Sequence, residues 1–274
     1  MLHVQNISSL DLPELQPYRT LRRQAEHRAQ RIFVAEGEST LRRLLETSLV
    51  VVSVLLTPEW LEVFEPSLKT RNEEIHIFVA EKSVLEGLTG FSMFQGLMAV
   101  AKIPEPLTLD EIIAQSPKPN LFVAIDGVSN AENLGTLVRN CTAFSVHGLL
   151  VSQSSSSPFL RRAVRSSMGG IFKLPVLEEL DLVETLQELR RRGIRSVAAH
   201  PHRTSRILPE ANFKADCCIV FGNEAYGISK QVLNTCDEEV AIPMPASEDS
   251  LNVSSAGAVF LYEARRQRDF QQAD

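Results

Sequence analysis

The chain of 274 residues has only four cysteines and no long hydrophobic run. The cysteines include no C-x-x-C pair, and the two that are adjacent, Cys217 and Cys218, lie on what reads as a buried strand. We therefore expect reduced, structural thiols, as in a cytosolic protein. No stretch of about 18 apolar residues occurs, and the N-terminus lacks a basic segment followed by an apolar one. The sequence thus predicts a cytoplasmic protein with no membrane partner.

Two common nucleotide-binding signatures are absent as well. No G-x-G-x-x-G follows a strand and no G-x-x-x-x-G-K-[ST] occurs, which excludes the usual dinucleotide and phosphate-loop sites. His200 and His202 look like metal ligands, but no third or fourth ligand stands at a suitable spacing, so we expect no metal. Nothing around Cys141 would lower the pKa of its thiol, which argues against nucleophilic cysteine catalysis.

Acidic residues outnumber basic ones, and the net charge of −6 argues mildly against nucleic acid as a partner. The distribution of charge matters more than the sum. Residues 19–31 carry five arginines against the single acid Glu26, and this segment reads as a basic helix or arm. Within it Arg22, Arg23 and Arg28 are candidate contacts to RNA phosphates.

A second basic cluster contains Arg161, Arg162 and Arg165, of which the last two are further candidate RNA contacts. For this cluster and for residues 19–31, RNA contact and a plain solvated helix face fit equally well. A third cluster at residues 190–195 reads as cations that stabilise the end of a helix.

Prolines and polar residues concentrate between residues 102 and 120 and mark a domain boundary. Upstream, short strands alternate with helical stretches, which is typical of a small α/β domain. The strands predicted there are 31–37, 50–56, 75–79 and 96–101. Downstream, near-continuous apolar runs indicate strands buried on both faces of a parallel sheet, with helices between them. These runs are 121–125, 148–152, 171–176, 194–199, 217–221 and 239–242.

The predicted organisation is therefore α/β throughout. We assign residues 1–105 to a smaller N-terminal domain, residues 106–119 to a linker, and residues 120–274 to the parallel-sheet domain. In open sheets of this class, ligands bind beyond the carboxyl ends of the strands. Three polar segments of the second domain follow such ends, and they carry the functional prediction.

The first segment, residues 130–141, reads NAENLGTLVRNC. A helix is expected to begin near Asn133, and Arg139 stands six residues later, so both side chains can lie near the helix start. Taken alone, Asn133 fits an N-cap and Arg139 a surface charge.

The second segment runs from Gly222 to Gly227 and follows the buried strand CCIVF. Glycines at both ends allow positive φ and a close approach of the backbone to a ligand, although an ordinary strand-to-helix turn also fits.

The third segment, residues 242–257, reads IPMPASEDSLNVSSAG and is the most specific of the three. It ends a strand in a polar loop and then opens an apolar helix with Ser250, Leu251 and Asn252. Ser250 would cap this helix with or without chemistry.

In this order, the three segments resemble the motifs of the SpoU (TrmH-like) RNA ribose methyltransferases of the SPOUT superfamily. The resemblance implies that the second domain is a trefoil-knotted parallel-sheet domain and that the protein is a homodimer with active sites near the subunit interface. Residues 33–45 look like the start of the ribosomal-protein-like domain that binds RNA in longer members. Residues 163–170 look like a segment that helps to shape the RNA surface.

The resemblance also implies roles for individual residues. S-adenosylmethionine (AdoMet) is the methyl donor, and no metal is needed. The residues implied to hold it are Gly222, Ile242, Met244, Leu251 and Asn252. The residues implied for catalysis are Arg139, Asn133, Glu224, Ser250 and Asn252. Tyr226 stands where the family has small or basic residues, and this difference bears on substrate contacts.

Arg139 matches the family's catalytic arginine, which acts from the partner subunit. Its forked guanidinium is suited to fixing a phosphate and a ribose. The very high pKa of a guanidinium makes it a poor base, whereas the family assigns this arginine the role of activating the hydroxyl. Two roles therefore stay open for Arg139: removing the proton of the ribose hydroxyl, or only positioning the ribose.

The implied reaction is methyl transfer to the 2′-hydroxyl of a ribose in structured RNA. DNA lacks this hydroxyl and is not expected as a substrate. The N-terminal domain favours 23S ribosomal RNA over transfer RNA, and an antibiotic-resistance enzyme with a narrow ribosomal target fits as well. The alternatives are a catalytically silent knotted protein that assists ribosome assembly and a small-molecule enzyme unrelated to RNA.

Overall fold

A computed structural model describes residues 1–21, 23–89, 95–201, 206–245 and 250–268, without the side chains of Gln24 and Thr89. The chain forms two compact units. Unit 1 contains Met1–Glu105 and Phe159–Phe172, and unit 2 contains Pro106–Pro158 and Lys173–Asp274. Within the described ranges, no helix is long and apolar enough to cross a membrane.

The secondary structure of the first 105 residues alternates between strands and helices. The strands are β1 (Leu2–Asn6), β2 (Ile32–Glu36), β3 (Val51–Leu56), β4 (Ile75–Val79) and β5 (Leu97–Lys102). The helices are α1 (Gln16–Arg19), α2 (Gln24–Ala29), α3 (Glu38–Leu45), α4 (Pro58–Lys69) and α5 (Lys82–Thr89). A 3-10 turn at Pro13–Leu15 precedes α1. The four strands predicted here are confirmed, whereas β1 has no counterpart in the prediction.

The sheet of unit 1 has the order β1-β4-β3-β5-β2. β1, β4 and β3 run parallel, and β5 is antiparallel to both of its neighbours. Every residue of β2 is buried, and the apolar residues 32–35 are typical of a strand that is covered on both faces. Tyr18 is also fully buried, and its hydroxyl lies 2.8 Å from the hydroxyl of Ser53, so its polar atom has a partner inside the core.

Unit 1 also contains residues 159–172, which sequence analysis placed in the second domain. Phe33 on β2 stacks against Phe172 with ring centroids 5.4 Å apart, and against Phe159 at 5.8 Å. Arg161 and Arg165 both bond to the buried carboxylate of Glu36. A buried carboxylate is stable only when paired, so these contacts hold the segment on β2.

The elements of unit 2 all come from residues 106 onwards. One helix of this part of the chain, α8 (Arg161–Ser166), lies in unit 1 instead. The strands are β6 (Leu121–Asp126), β7 (Gly148–Ser152), β8 (Val176–Leu180), β9 (Arg195–Ala199), β10 (Arg206–Ile207), β11 (Cys217–Gly222) and β12 (Glu238–Ala241). The helices are α6 (Leu109–Gln115), α7 (Ala131–Ala143), α9 (Leu182–Arg191), α10 (Lys230–Thr235) and α11 (Val253–Gln267). A 3-10 turn lies at Leu208–Glu210 in unit 2, and another at Gly170–Phe172 in unit 1.

The described strands of unit 2 form one parallel sheet in the order β10-β12-β9-β11-β6-β7-β8. The predicted α/β class with a parallel sheet is thus confirmed. From the interior strand β6 the chain first builds outwards through β7 and β8, and later returns to the other side of β6 through β9 and β11. This reversal of strand order makes the β6–β11 boundary a topological switch point, where ligands of such sheets bind.

Two local predictions differ from the structure of unit 2. The segment 106–119 is not a linker, because a capping box at Thr108 starts α6 and Ile112 is buried in the core cluster of the sheet. The strand predicted at 171–176 begins only at Val176, since Gly170–Phe172 form a 3-10 turn. An apolar run does not by itself distinguish a strand from a buried turn.

The packing of α9 yields a test of the core of unit 2. Leu186 is fully buried in the core cluster, and its neighbour Gln187 points to solvent. Leu186→Ala should lower the free energy of unfolding by about 2–5 kcal/mol, because it leaves a cavity under the sheet. Gln187→Ala should change it by less than about 0.5 kcal/mol. Equal denaturation midpoints for the two variants would contradict this packing.

Candidate active site

The loops that follow β6 and β11 meet at the switch point of unit 2. The side-chain amide of Asn223 donates to the carbonyl oxygen of Gly127 at 2.6 Å, and Ser229 N–H donates to Asp126 at 2.7 Å. Both bonds join the carboxyl end of β6 to the segment after β11. The loops therefore hold each other in place at the edge where a ligand of this sheet would bind.

The loop from Asn223 to Gly227 is closed by its own hydrogen bonds. Asn223 and Gly227 exchange two backbone bonds, both of 2.9 Å. The side-chain oxygen of Asn223 also accepts the N–H groups of Ala225 at 2.8 Å and Tyr226 at 3.1 Å. Asn223 was missed as a site residue by sequence analysis. The sequence signal that could have found Asn223 is an asparagine at the start of a short turn that ends in a glycine. Asparagine side chains often hydrogen-bond to the backbone of such turns.

Gly222 is required by the backbone of the same loop. A Cβ atom at this position would collide with backbone atoms of Gly227 and Ile228, which cannot move aside as a flexible side chain could. Sequence analysis predicted a close backbone approach at Gly222. The structure shows such an approach to the returning loop itself.

Glu224 connects this loop to the start of α7. Its carboxylate accepts bonds from the backbone N–H groups of Ser129 at 3.3 Å and Asn130 at 3.2 Å, and from the side-chain amide of Asn133 at 3.1 Å. Burial acts to raise the pKa of Glu224, but these hydrogen bonds and one to its own backbone outweigh it, so the pKa lies below its ordinary value. Glu224 is therefore ionised at neutral pH.

Two asparagines extend the network to the third segment. Asn252 donates its side-chain amide to the side-chain oxygen of Asn133 at 2.9 Å. Its own side-chain oxygen accepts Ser254 N–H at 2.9 Å and Ser254 Oγ–H at 2.6 Å. The residues Glu224, Asn133 and Asn252 thus form one hydrogen-bonded chain across the three sequence segments.

The helix caps differ from those predicted. α7 begins at Ala131, and its N-cap is Asn130, whose side chain accepts the N–H groups of Glu132 and Asn133. α11 begins at Val253 with Asn252 as its N-cap, so neither Asn133 nor Ser250 caps a helix. Both residues are left available for other contacts, because the neighbouring asparagines satisfy the helix ends.

A cavity of 510 Å³ opens beside this network, within the size range of small-molecule sites. Every residue predicted for catalysis or cofactor binding lines it, except Arg139. These residues are Asn133, Gly222, Glu224, Ile242, Met244, Ser250, Leu251 and Asn252. Residues 246–249 of the third segment lie outside the described residues.

Arg139 lies on the exposed side of α7 and does not line the cavity. Its guanidinium makes no hydrogen bond or ion pair with any residue that the structure describes. The structure of one chain therefore does not bring Arg139 together with the other predicted site residues.

The candidate RNA-binding arginines lie in unit 1 and differ in their surroundings. Arg23 immediately precedes α2 and pairs with Glu26 on that helix at 3.0 Å, and Arg28 is exposed on the same helix. Arg162 is also exposed, whereas Arg165 shares the carboxylate of Glu36 with Arg161. Arg22 lies outside the described residues.

Metal ligands are not clustered in the part of the chain that is described, where no three His, Cys, Asp or Glu side chains could hold one ion. His200 lines the cavity, and His202 lies outside the described residues. Cys141 is fully buried, and burial strongly raises the pKa of its thiol.

Comparison with known proteins identifies the family. The model described as the SpoU rRNA Methylase family matches residues 120–262, more than half of the chain. This chain belongs to the SpoU rRNA methylase family. The resemblance drawn from the three sequence segments is thereby confirmed.

Two relatives illustrate the similarity in sequence. An uncharacterised tRNA/rRNA methyltransferase of Mycobacterium avium is 36% identical over 199 residues, which cover 71% of this chain and 63% of the relative. The 23S rRNA (guanosine-2′-O-)-methyltransferase RlmB of Ralstonia nicotianae is 32% identical over 195 residues, which cover 71% of this chain and 78% of that one.

The solved structure of the SpoU methyltransferase AviRb from Streptomyces viridochromogenes, in complex with AdoMet, is 27% identical to this SpoU family member. The match covers 94% of this chain and 99% of that one, with a TM-score of 0.79. An rRNA methyltransferase from Sinorhizobium meliloti shares the fold at 22% identity and a TM-score of 0.81.

The contact between Gly222 and the returning loop can be tested by substitution. Gly222→Val should lower the free energy of unfolding by about 1–3 kcal/mol or more, because the side chain has no space. It should also weaken AdoMet binding, since the loop that lines the cavity must shift. Thermal melting and titration calorimetry measure the two effects.

Gly227→Ala is the matched control for Gly222→Val. Gly227 has a φ of +69°, but a Cβ there meets no atom within 4 Å. This variant should therefore be destabilised only by backbone strain, by about 1–2 kcal/mol. If Gly222→Val melts and binds AdoMet like the parent, the loop and the cofactor site are wrongly assigned.

Proposed function

We propose that this chain transfers a methyl group from AdoMet to the 2′-hydroxyl of a ribose in RNA, at the cavity beside the Glu224–Asn133–Asn252 network. Membership of the SpoU rRNA methylase family makes the chain an RNA methyltransferase. The observation that carries the proposed site is the convergence of all three motif segments on one cavity.

The residues present fit AdoMet as a ligand. Ile242, Met244 and Leu251 give the cavity apolar walls, and Asn133, Glu224 and Asn252 add polar groups to its lining. This combination suits a molecule that carries both an aromatic base and polar substituents. When bound, AdoMet supplies a methyl group that its sulfonium has already made electrophilic. The protein therefore has mainly to orient the ribose hydroxyl and exclude water.

For Glu224 we propose a positioning role. Its carboxylate is already engaged by the start of α7 and by Asn133, and the low pKa makes it a weak base. Through Asn133 it sets the orientation of Asn252, which lines the cavity. Asn252 and the exposed Ser250 are then the side chains placed to hydrogen-bond the ribose.

Arg139 is proposed to act in a homodimer, on the RNA bound to the partner subunit. Three observations support this role: Arg139 is exposed, makes no contact with the cavity of its own chain, and has no acidic partner among the described residues. The neighbouring helix α11 exposes Val259 and Tyr262, at 40% and 51%, which suits the apolar part of a subunit contact.

As the substrate we propose ribosomal RNA in preference to transfer RNA. A relative of this chain is named a 23S rRNA (guanosine-2′-O-)-methyltransferase, and unit 1 supplies a separate α/β body with exposed arginines. Relatives named tRNA/rRNA methyltransferases make transfer RNA the second candidate. Unmodified transcripts of both RNAs, incubated with the protein and labelled AdoMet, decide between them.

Arg139 allows a clean test of catalysis, because its guanidinium makes no hydrogen bond or ion pair with the described residues. Arg139→Ala should reduce methyl transfer by about 100-fold or more, since the ribose loses its positioning group. AdoMet affinity, measured by calorimetry, should stay at the parent value. Arg191→Ala, which removes another exposed arginine from the last turn of α9, should leave both quantities unchanged.

The partner-subunit role of Arg139 is tested by mixing two inactive variants. In a mixed dimer of Arg139→Ala and Gly222→Val chains, one cavity is intact and faces a normal Arg139. Random reassociation should therefore restore about a quarter of the parent sites. If the mixture remains inactive although sedimentation shows mixed dimers, Arg139 does not act on the RNA bound to the partner subunit.

The basic segment 19–31 is proposed to capture RNA without taking part in chemistry. Neutralising Arg22, Arg23 and Arg28 together should flatten the slope of log affinity against log salt by about two units, since each phosphate that is no longer bound reduces the slope by about 0.7 to 0.9. Because Arg23 already pairs with Glu26, its share should be the smaller one. Transfer at saturating RNA should hardly change.

A variant with the same loss of charge controls for the overall field. Lys69→Gln, Arg191→Gln and Lys214→Gln remove three exposed cations that lie outside the basic segment. This triple variant should keep the parent slope. An equal flattening by both triple variants would show that the arginines of residues 19–31 are a solvated helix face.

A further inference from the structure

Tyr226 is the most exposed large hydrophobic residue of the described cavity rim. Its exposed fraction is 91%, against 43% for Leu251 on the same rim. The hydroxyl of Tyr226 has no hydrogen-bond partner among the described residues. Single exposed apolar side chains are common on protein surfaces, so exposure alone would mean little. The position of this ring at the mouth of the active-site cavity is what calls for an explanation.

The backbone that carries Tyr226 is held rigidly, in contrast to its free side chain. The N–H of Tyr226 donates to the side chain of Asn223, which in turn is bonded to Gly127. The nearby Glu224 is fixed to the start of α7. A short loop that is anchored on both sides therefore presents an aromatic ring to solvent. Such preorganisation lowers the entropy that is lost when a ligand covers the ring.

The chemistry of the proposed reaction supplies a ligand for this ring. A protein that selects one ribose in structured RNA reads bases that have left the helical stack, and these bases commonly stack on aromatic side chains. The ring of Tyr226 has an exposed π-face and lies on the rim of the cavity in which the ribose would be held. Stacking there would fix the nucleotide without any hydrogen bond to its base edges.

We propose that Tyr226 is a stacking platform for an unpaired base of the RNA substrate, at the methylated nucleotide or the one next to it. This proposal rests on the proposed function, since it assigns a substrate contact to the same site. Tyr226 is then a residue that positions the RNA and favours unpaired over helical targets. The adenine of AdoMet is a less suitable occupant, because a ring that belonged to the cofactor site would be partly covered by the cavity wall.

The first test separates RNA binding from cofactor binding. Tyr226→Ala should raise the KM for an unmodified 23S ribosomal RNA transcript by about 5- to 150-fold, which is the range for loss of one stacked aromatic. The kcat and the AdoMet affinity should stay within about twofold of the parent. Tyr226→Phe and Tyr226→Trp should restore the parent KM, because the ring is needed and the hydroxyl is not.

The second test does not depend on methyl transfer. Affinity is measured for a single-stranded oligoadenylate RNA and for an abasic ribose-phosphate oligomer of the same length. Tyr226→Ala should weaken binding of the oligoadenylate and leave the abasic oligomer unaffected. In one outcome the parent protein methylates neither ribosomal nor transfer RNA, while Tyr226→Ala still weakens binding of the oligoadenylate alone. That result would contradict the proposed function but support base stacking by Tyr226.

Four results would contradict the proposal that Tyr226 stacks on a base. A loss of AdoMet affinity in Tyr226→Ala would assign the ring to the cofactor, and dissociation in sedimentation would assign it to a subunit contact. Equal weakening of both oligomers, or a Tyr226→Phe variant as impaired as Tyr226→Ala, would show that base stacking is not what Tyr226 contributes.

Discussion

The site of this protein depends on one carboxylate, that of Glu224. It accepts hydrogen bonds from Ser129 and Asn130 just before α7 and from Asn133, and through Asn133 it reaches the cap of α11. The loop that carries Glu224 is thus bonded directly to the start of α7, and the third segment is joined to it only through Asn133. Charge-assisted bonds of this kind are stronger than neutral ones, and loss of the carboxylate would leave all of its donors unsatisfied at once. Removal of this carboxylate would therefore free the start of α7 from the loop after β11 and leave Asn133, the partner of Asn252, without its own acceptor.

Much of the fold could be predicted because its strands are strongly apolar. β6, β7 and β11 are buried along nearly their whole length, and their runs of Val, Ile, Leu and Phe stand out against the polar loops. Two edge strands were not predicted because they lack such a buried apolar run: β1 is largely exposed, and both residues of β10 are exposed. The placement of residues 159–172 on unit 1 depends on long-range contacts of Phe33 and Glu36, which no local pattern encodes.

The composition of the site was also predictable, whereas its connections were not. Eight residues chosen from the three segments line one cavity, because strand ends on one edge of a parallel sheet bring their loops together. The caps went to Asn130 and Asn252 instead of Asn133 and Ser250, a shift of two or three residues that pattern reading does not resolve. The separation of Arg139 from the cavity was not fixed by the sequence, since an interval of six residues does not stack Arg139 and Asn133 on one helix face but lets both lie near the helix start.

The collision of a side chain at position 222 with the returning backbone has a consequence for judging activity from sequence. The glycine there is demanded by the geometry of the loop, whether or not anything is bound in the cavity. A relative that had abandoned catalysis would still need it in order to fold this turn. The glycine is thus a marker of architecture. Arg139 differs, because its guanidinium makes no hydrogen bond or ion pair with any described residue, so the described contacts give no structural reason for an arginine there.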